Sequence, residues 1–152
     1  MLKKLSVPFF VEAVGTILAL VALFIAIASN GIPGYAISDF GNAILFAVLG
    51  LALSGATIFV TLKFGNEHFI TAIARIATII FFAFAFAVII SDRVLVASTF
   101  SWDKGNQAAV NAWNTGLTAV IFFVVADIAY IVTAFLNDKK AAEQPAEAPA
   151  AE

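Results

Sequence analysis

The chain has 152 residues, 62% of them hydrophobic and 12% charged, with a mean hydropathy of +1.03. A soluble domain of this size could not hide so much apolar surface in its own core, so the composition predicts a membrane protein covered by lipid. The net charge of −2 comes with three of the ten acids in the final stretch (Glu143, Glu147 and Glu152), and no basic footprint for nucleic acid is present. Cysteine is absent and His68 is the only histidine, which excludes disulfides, thiolate metal sites and cysteine nucleophiles and leaves no expected metal or cofactor.

Four apolar stretches, at about 7–29, 41–62, 69–90 and 112–136, predict an all-α integral membrane four-helix bundle of antiparallel up-down topology. Each has roughly the 20 residues that a helix rising ~1.5 Å per residue needs to cross a ~30 Å hydrocarbon core. Lone strands would leave backbone groups unpaired in lipid. The first stretch follows Lys3 and Lys4 and resembles a signal peptide in outline, but its length and Glu12 suit a retained helix.

Lys3, Lys4, Lys63, Lys139 and Lys140 fall on one side of such a bundle, against Arg93 and Lys104 on the other. The positive-inside rule then places both termini and the short turn 63–68 in the cytoplasm of a cell-membrane protein. The outer connections are 30–40, broken by Asn30-Gly31 and Pro33-Gly34, and a longer loop at 91–111. The transmembrane domain is expected to cover 1–138. The remainder, 139–152, ends in AAEQPAEAPAAE, which lacks apolar periodicity and is expected to be a disordered tail.

In lipid, small residues let helix backbones approach. The second helix carries Ala43, Ala47, Gly50, Ser54, Thr57 and Thr61 at spacings of 4, 3, 4, 3, 4. The first carries Glu12, Gly15, Ala19, Ala22, Ala26 and Ser29 at spacings of 3, 4, 3, 4, 3. These matching seams predict close packing of helices one and two. A looser seam on helix four runs through Ala112, Gly116, Ala119, Phe123, Ala126, Tyr130 and Thr133, while the Phe-rich third helix is expected to meet lipid on part of its circumference.

Glu12, Arg75 and Asp127 are ionisable residues inside apolar segments, a placement that costs about 2.5 to 3.5 kcal/mol at a helix centre for Asp or Arg. Counted from the cytoplasmic boundaries they lie roughly 8, 9 and 14 Å deep. These depths suggest a cluster centred on Arg75 with one or both carboxylates, and Tyr130, one turn beyond Asp127, as a hydrogen-bond donor to it. For Glu12 and Arg75 the competing reading is that their long side chains snorkel to the headgroups.

Tyr35, Trp102 and Trp113 could form an outer aromatic platform, beside Asp103, Asn106, Gln107 and Asn111, or simply an interfacial aromatic belt. His68 beside Glu67 reads as part of a solvated turn. No phosphate loop, dinucleotide fingerprint or metal-binding helix motif is present.

The segment Val11-Glu12-Ala13-Val14-Gly15-Thr16 resembles the first-helix motif of small multidrug resistance exporters. That resemblance implies a membrane-embedded glutamate exchanging protons for cationic drugs. It covers six residues, and Arg75, Asp127 and the longer outer loops depart from the family's pattern, so no family is assigned on it. The expectation is a non-enzymatic accessory subunit or scaffold that binds other membrane proteins or itself. The alternative is a small proton-coupled transporter or channel working as a homo-oligomer.

Overall fold

The computed structural model describes residues 6–103 and 105–136, which form four α-helices packed against one another. The tail and Lys3, Lys4, Lys104, Lys139 and Lys140 lie outside the described residues. The helices are α1 (Val7–Asn30), α2 (Phe40–Phe64), α3 (Phe69–Trp102) and α4 (Gln107–Phe135). All four are long and apolar enough to cross a membrane. Large hydrophobic side chains such as Phe24, Phe59, Ile76 and Ile128 stand exposed on the outside of the bundle. An apolar outside of this extent is what a helix bundle facing lipid presents.

Local chemistry sets the boundaries. Pro8 occupies the first turn of α1, where its missing N–H costs no intrahelical bond. Gly31 caps the other end of α1 and donates to the Ile27 and Ala28 carbonyls. Gly65, at φ 95°, ends α2 in a backbone region that residues with a Cβ avoid. His68 opens α3 by accepting from the Ile70 N–H through Nδ1 at 3.2 Å, and its ring stacks on Phe64. Asn106 opens α4 in the same way, Oδ1 accepting from the Ala109 N–H at 3.0 Å.

The third and fourth helices are longer than the hydropathy pattern predicts. Helix α3 has 34 residues and runs through Ser91-Asp92-Arg93 to Trp102, so most of the expected loop at 91–111 is helical, and α4 begins at Gln107. No glycine or proline occurs between Phe69 and Asp103 to stop it. Its buried positions Thr71, Arg75, Thr78, Phe82, Ala85, Ile89, Arg93 and Val96 continue one seam across residue 90 without a break. Ser91-Asp92-Arg93 and the polar residues 103–107 read as a loop in sequence because nothing local shows that Arg93 faces the interior.

The small-residue seams are the buried faces of α1, α2 and α4. They are not used as expected, however. Helix α1 packs most extensively on α4 and α2 on α3, the α3–α4 contact is smaller than either, and α1 against α2 is the thinnest of the four neighbouring contacts. Glycines on the seams receive large side chains from other helices instead of facing each other. A Cβ on Gly50 of α2 would lie 2.5 Å from the Phe82 ring of α3, and one on Gly15 of α1 would lie 3.2 Å from the Tyr130 ring of α4. Where α1 and α2 face each other, Leu23, Ala47, Ile89 and Phe123 border a shallow apolar seam with no room for even a water molecule.

Candidate functional site

Near the end of the bundle that holds the start of α1, the turn between α2 and α3, and the end of α4, a polar network joins all four helices. The Glu12 carboxylate is fully buried, and its Oε1 accepts from Arg75 Nε at 3.1 Å and Nη2 at 2.5 Å. Its Oε2 accepts from the Thr61 hydroxyl at 2.9 Å. Arg75 Nη2 also donates to Asn66 Oδ1 at 2.6 Å. Asn66 Nδ2 in turn donates to the carbonyls of Thr133, at 2.9 Å, and Leu136. One acid and one base cancel, and the carbonyls left open at the end of α4 gain a donor. Arg75 is 3% exposed and Glu12 0%, so neither side chain snorkels outward.

One turn further in, the Thr16 hydroxyl donates to the Glu12 carbonyl at 2.9 Å and meets the Tyr130 hydroxyl at 2.7 Å. Thr16 has a single hydroxyl proton, already given to that carbonyl, so Tyr130 is the donor to Thr16. Tyr130 thus ties α4 to α1 and does not turn to Asp127. The proposed cluster divides accordingly: Glu12 and Arg75 meet, and Asp127 stands apart from both.

Asp127 is 7% exposed, and its Oδ1 has no hydrogen-bond partner among the described residues. The reason it misses Arg75 is rotational. At 100° per residue Asp127 lies beside Gly116 on the side of α4 that meets α3, because Gly116 lies against Arg93 of that helix. Ala129, which meets Gly15 of α1, is on nearly the opposite side. The interior at this level is filled by the Phe82 ring, which packs on Phe123 at 5.8 Å and on Tyr130 at 6.2 Å. Arg75 is drawn away towards α1 and Asn66.

The sequence reading missed Arg93, which is 0% exposed. Its Nη1 donates to the Tyr35 carbonyl at 2.8 Å and its Nη2 to the Ser29 carbonyl at 3.2 Å in the last turn of α1. The Asp92 carboxylate stands 3.5 Å from Nη1 and also accepts from the backbone N–H and hydroxyl of Ser38. A cation over the open carbonyls of a helix C-terminus is favourably placed against the helix dipole. The aliphatic part and Nε of Arg93 lie on Gly116, where a Cβ would approach Cγ to 2.6 Å. Arg93 is 18 residues from Arg75, five full helical turns, and that spacing was the available signal for a shared face.

Of the outer aromatic residues, Tyr35 and Trp113 pack into a small cluster with Ile32, Val96, Ala109 and Ala112. The Tyr35 hydroxyl accepts from Asn106 Nδ2 at 2.6 Å. Trp102, 92% exposed at the end of α3, is not part of that cluster. Chemically, the described residues offer internal ties and one orphan carboxylate, and no three carboxylate or imidazole groups converge among them. No protein family, curated protein or solved structure matches the chain, so geometry alone carries the functional reading.

Proposed function

We propose that the chain is a multi-pass protein of the cell membrane, both ends cytoplasmic, that binds other membrane proteins or itself as an accessory subunit or scaffold and performs no catalysis. One observation carries this reading. Glu12, Arg75 and Arg93 are buried groups spent on holding helices to one another, and the apolar seam bordered by Leu23, Ala47, Ile89 and Phe123 has neither the room nor the polar lining to conduct or hold a hydrophilic solute. The surface left for interaction is the apolar outside. Orientation follows from the lysines on the side of the termini.

Purification from native membrane in a mild detergent tests the reading. A stoichiometric membrane-protein partner, or a defined homo-oligomer, together with no solute or proton flux in proteoliposomes, is the expected result. Reporter fusions should place both ends on the cytoplasmic side. Isolation as a bare monomer that carries flux would overturn it. The orphan carboxylate of Asp127 favours a second reading, a small proton-coupled transporter or channel in which Asp127 is the exchange site. In that case Asp127→Asn abolishes flux.

A further inference from the structure

We propose that Asp127 is the point at which this chain recognises a membrane-protein partner, through a lysine or arginine carried near the middle of a transmembrane helix of that partner. The inference rests on the binding role proposed above and specifies its chemistry.

Every other buried charge in the described bundle has found company. Glu12 holds Arg75 at 2.5 Å, and Arg93 has Asp92 at 3.5 Å together with two backbone carbonyls. Lys63, exposed at the end of α2, has its ammonium 5.1 Å from the Phe64 ring centre. Two buried side-chain polar atoms of the described bundle lack a hydrogen-bond partner, Arg93 Nε and Asp127 Oδ1, and of the two residues only Asp127, 7% exposed, has no other tie to offset it. Its neighbour Tyr130 is committed to Thr16. The contact of Tyr130 with Gly15 sets Asp127 about level with the middle of α1, where a membrane would be driest.

Position adds direction to this charge. On α4 the residues next to Asp127 on the outward side are Val124 and Ile131, 36% and 46% exposed. A helix lying along the α3–α4 flank would cover them and bring its own side chains beside the carboxylate. A charge this deep in an apolar medium is costly alone and is normally found paired, and a complementary charge on a helix outside the described bundle would supply the donor that Oδ1 lacks. A second copy of the chain does not supply it, because its buried arginines are held in the same internal ties and it would bring another carboxylate instead. A basic residue on a different transmembrane helix fits both the sign and the depth.

The chain has no cysteine, which makes site-directed cross-linking clean. Full-length protein carrying Val124→Cys would be reconstituted with a designed Leu/Ala single-span helix that has one cysteine and, at its midpoint, either Lys or Leu. The Lys helix should cross-link roughly tenfold faster than the Leu helix, the ratio a ~1.4 kcal/mol intramembrane interaction gives. Asp127→Asn should erase the difference, and Asp127→Lys should restore it with an Asp-bearing helix. Equal rates for the Lys and Leu helices, or a preference that persists in Asp127→Asn, would overturn the proposal. If a native partner still co-purifies with Asp127→Asn unchanged, the binding role stands and Asp127's part in it falls. If purified protein conducts protons and Asp127→Asn stops it, both fall.

Discussion

The Glu12 carboxylate and the Arg75 guanidinium, 63 residues apart in the chain, meet inside the bundle at 2.5 Å and join α1 to α3. Because Thr61 and Asn66 complete the shell, this pair is also the junction for α2 and, through the Thr133 carbonyl, for α4. Removing one partner leaves an uncompensated buried charge. Glu12→Gln and Arg75→Gln are each expected to destabilise the protein by about 3 to 5 kcal/mol, and the double variant by clearly less than their sum. Unfolding in mixed micelles of detergent and denaturant measures all three. Strict additivity would show that the two side chains are not coupled.

The glycine positions give a steric prediction. Phe82 is fully buried and is held from behind by Phe123 and Tyr130, so its ring has nowhere to move when Gly50 gains a methyl group that would sit 2.5 Å away. Gly50→Ala should cost on the order of 1 to 3 kcal/mol by overpacking. Gly55→Ala on the same helix, with nothing within 4 Å, is the matched control and should cost little or gain slightly from helix propensity. The same micellar unfolding assay separates them, and equal effects would refute the tight α2–α3 contact.

Arg93 should control the far end of the bundle. Its two donated bonds hold the last turn of α1 and the Tyr35 carbonyl of the α1–α2 connection. Arg93→Gln is too short to keep both, so hydrogen exchange in residues 29–38 should rise about tenfold, while the Glu12–Arg75 end is unchanged. Exchange that rises uniformly along the chain would instead show a global loss of stability.

Much of the fold was legible because hydropathy and helix length speak directly: the four spans and the buried seams of α1, α2 and α4 are written in small residues at helical spacing. Glu12 and Arg75 were linked from depth alone, since antiparallel helices put equal depths at one level. What depth does not contain is rotation about the helix axis. That is why Asp127 was grouped with Arg75 although it stands on another side of α4, and why Tyr130 was aimed at Asp127 instead of Thr16. Arg93 was lost for a different reason. An arginine after Ser-Asp reads as the start of a solvated loop unless the seam through Phe82, Ala85 and Ile89 is followed past it. Nor does a stripe of small residues name its partner: the seams of α1 and α2 meet at Glu12 and Thr61, but at Gly15 and Gly50 they accept Tyr130 and Phe82 from other helices.

The two buried acids should respond to neutralisation with opposite signs. Glu12 accepts from both Arg75 and Thr61, so Glu12→Gln removes half of an ion pair. Asp127 has a buried oxygen that accepts from nothing, so the isolated chain bears its desolvation without return. Asp127→Asn keeps a polar group at the site, whereas Asp127→Leu removes it altogether. Asp127→Leu is therefore expected to stabilise the purified protein by about 1 to 3 kcal/mol, the usual cost of an unsatisfied buried polar group. A stabilising substitution at a group that also serves recognition is the ordinary trade between stability and function. Thermal unfolding in detergent, with Glu12→Gln measured beside it, checks the sign. If Asp127→Leu destabilises as Glu12→Gln does, the Asp127 carboxylate is structural within this chain, and its orphan status is lost together with the recognition role built on it.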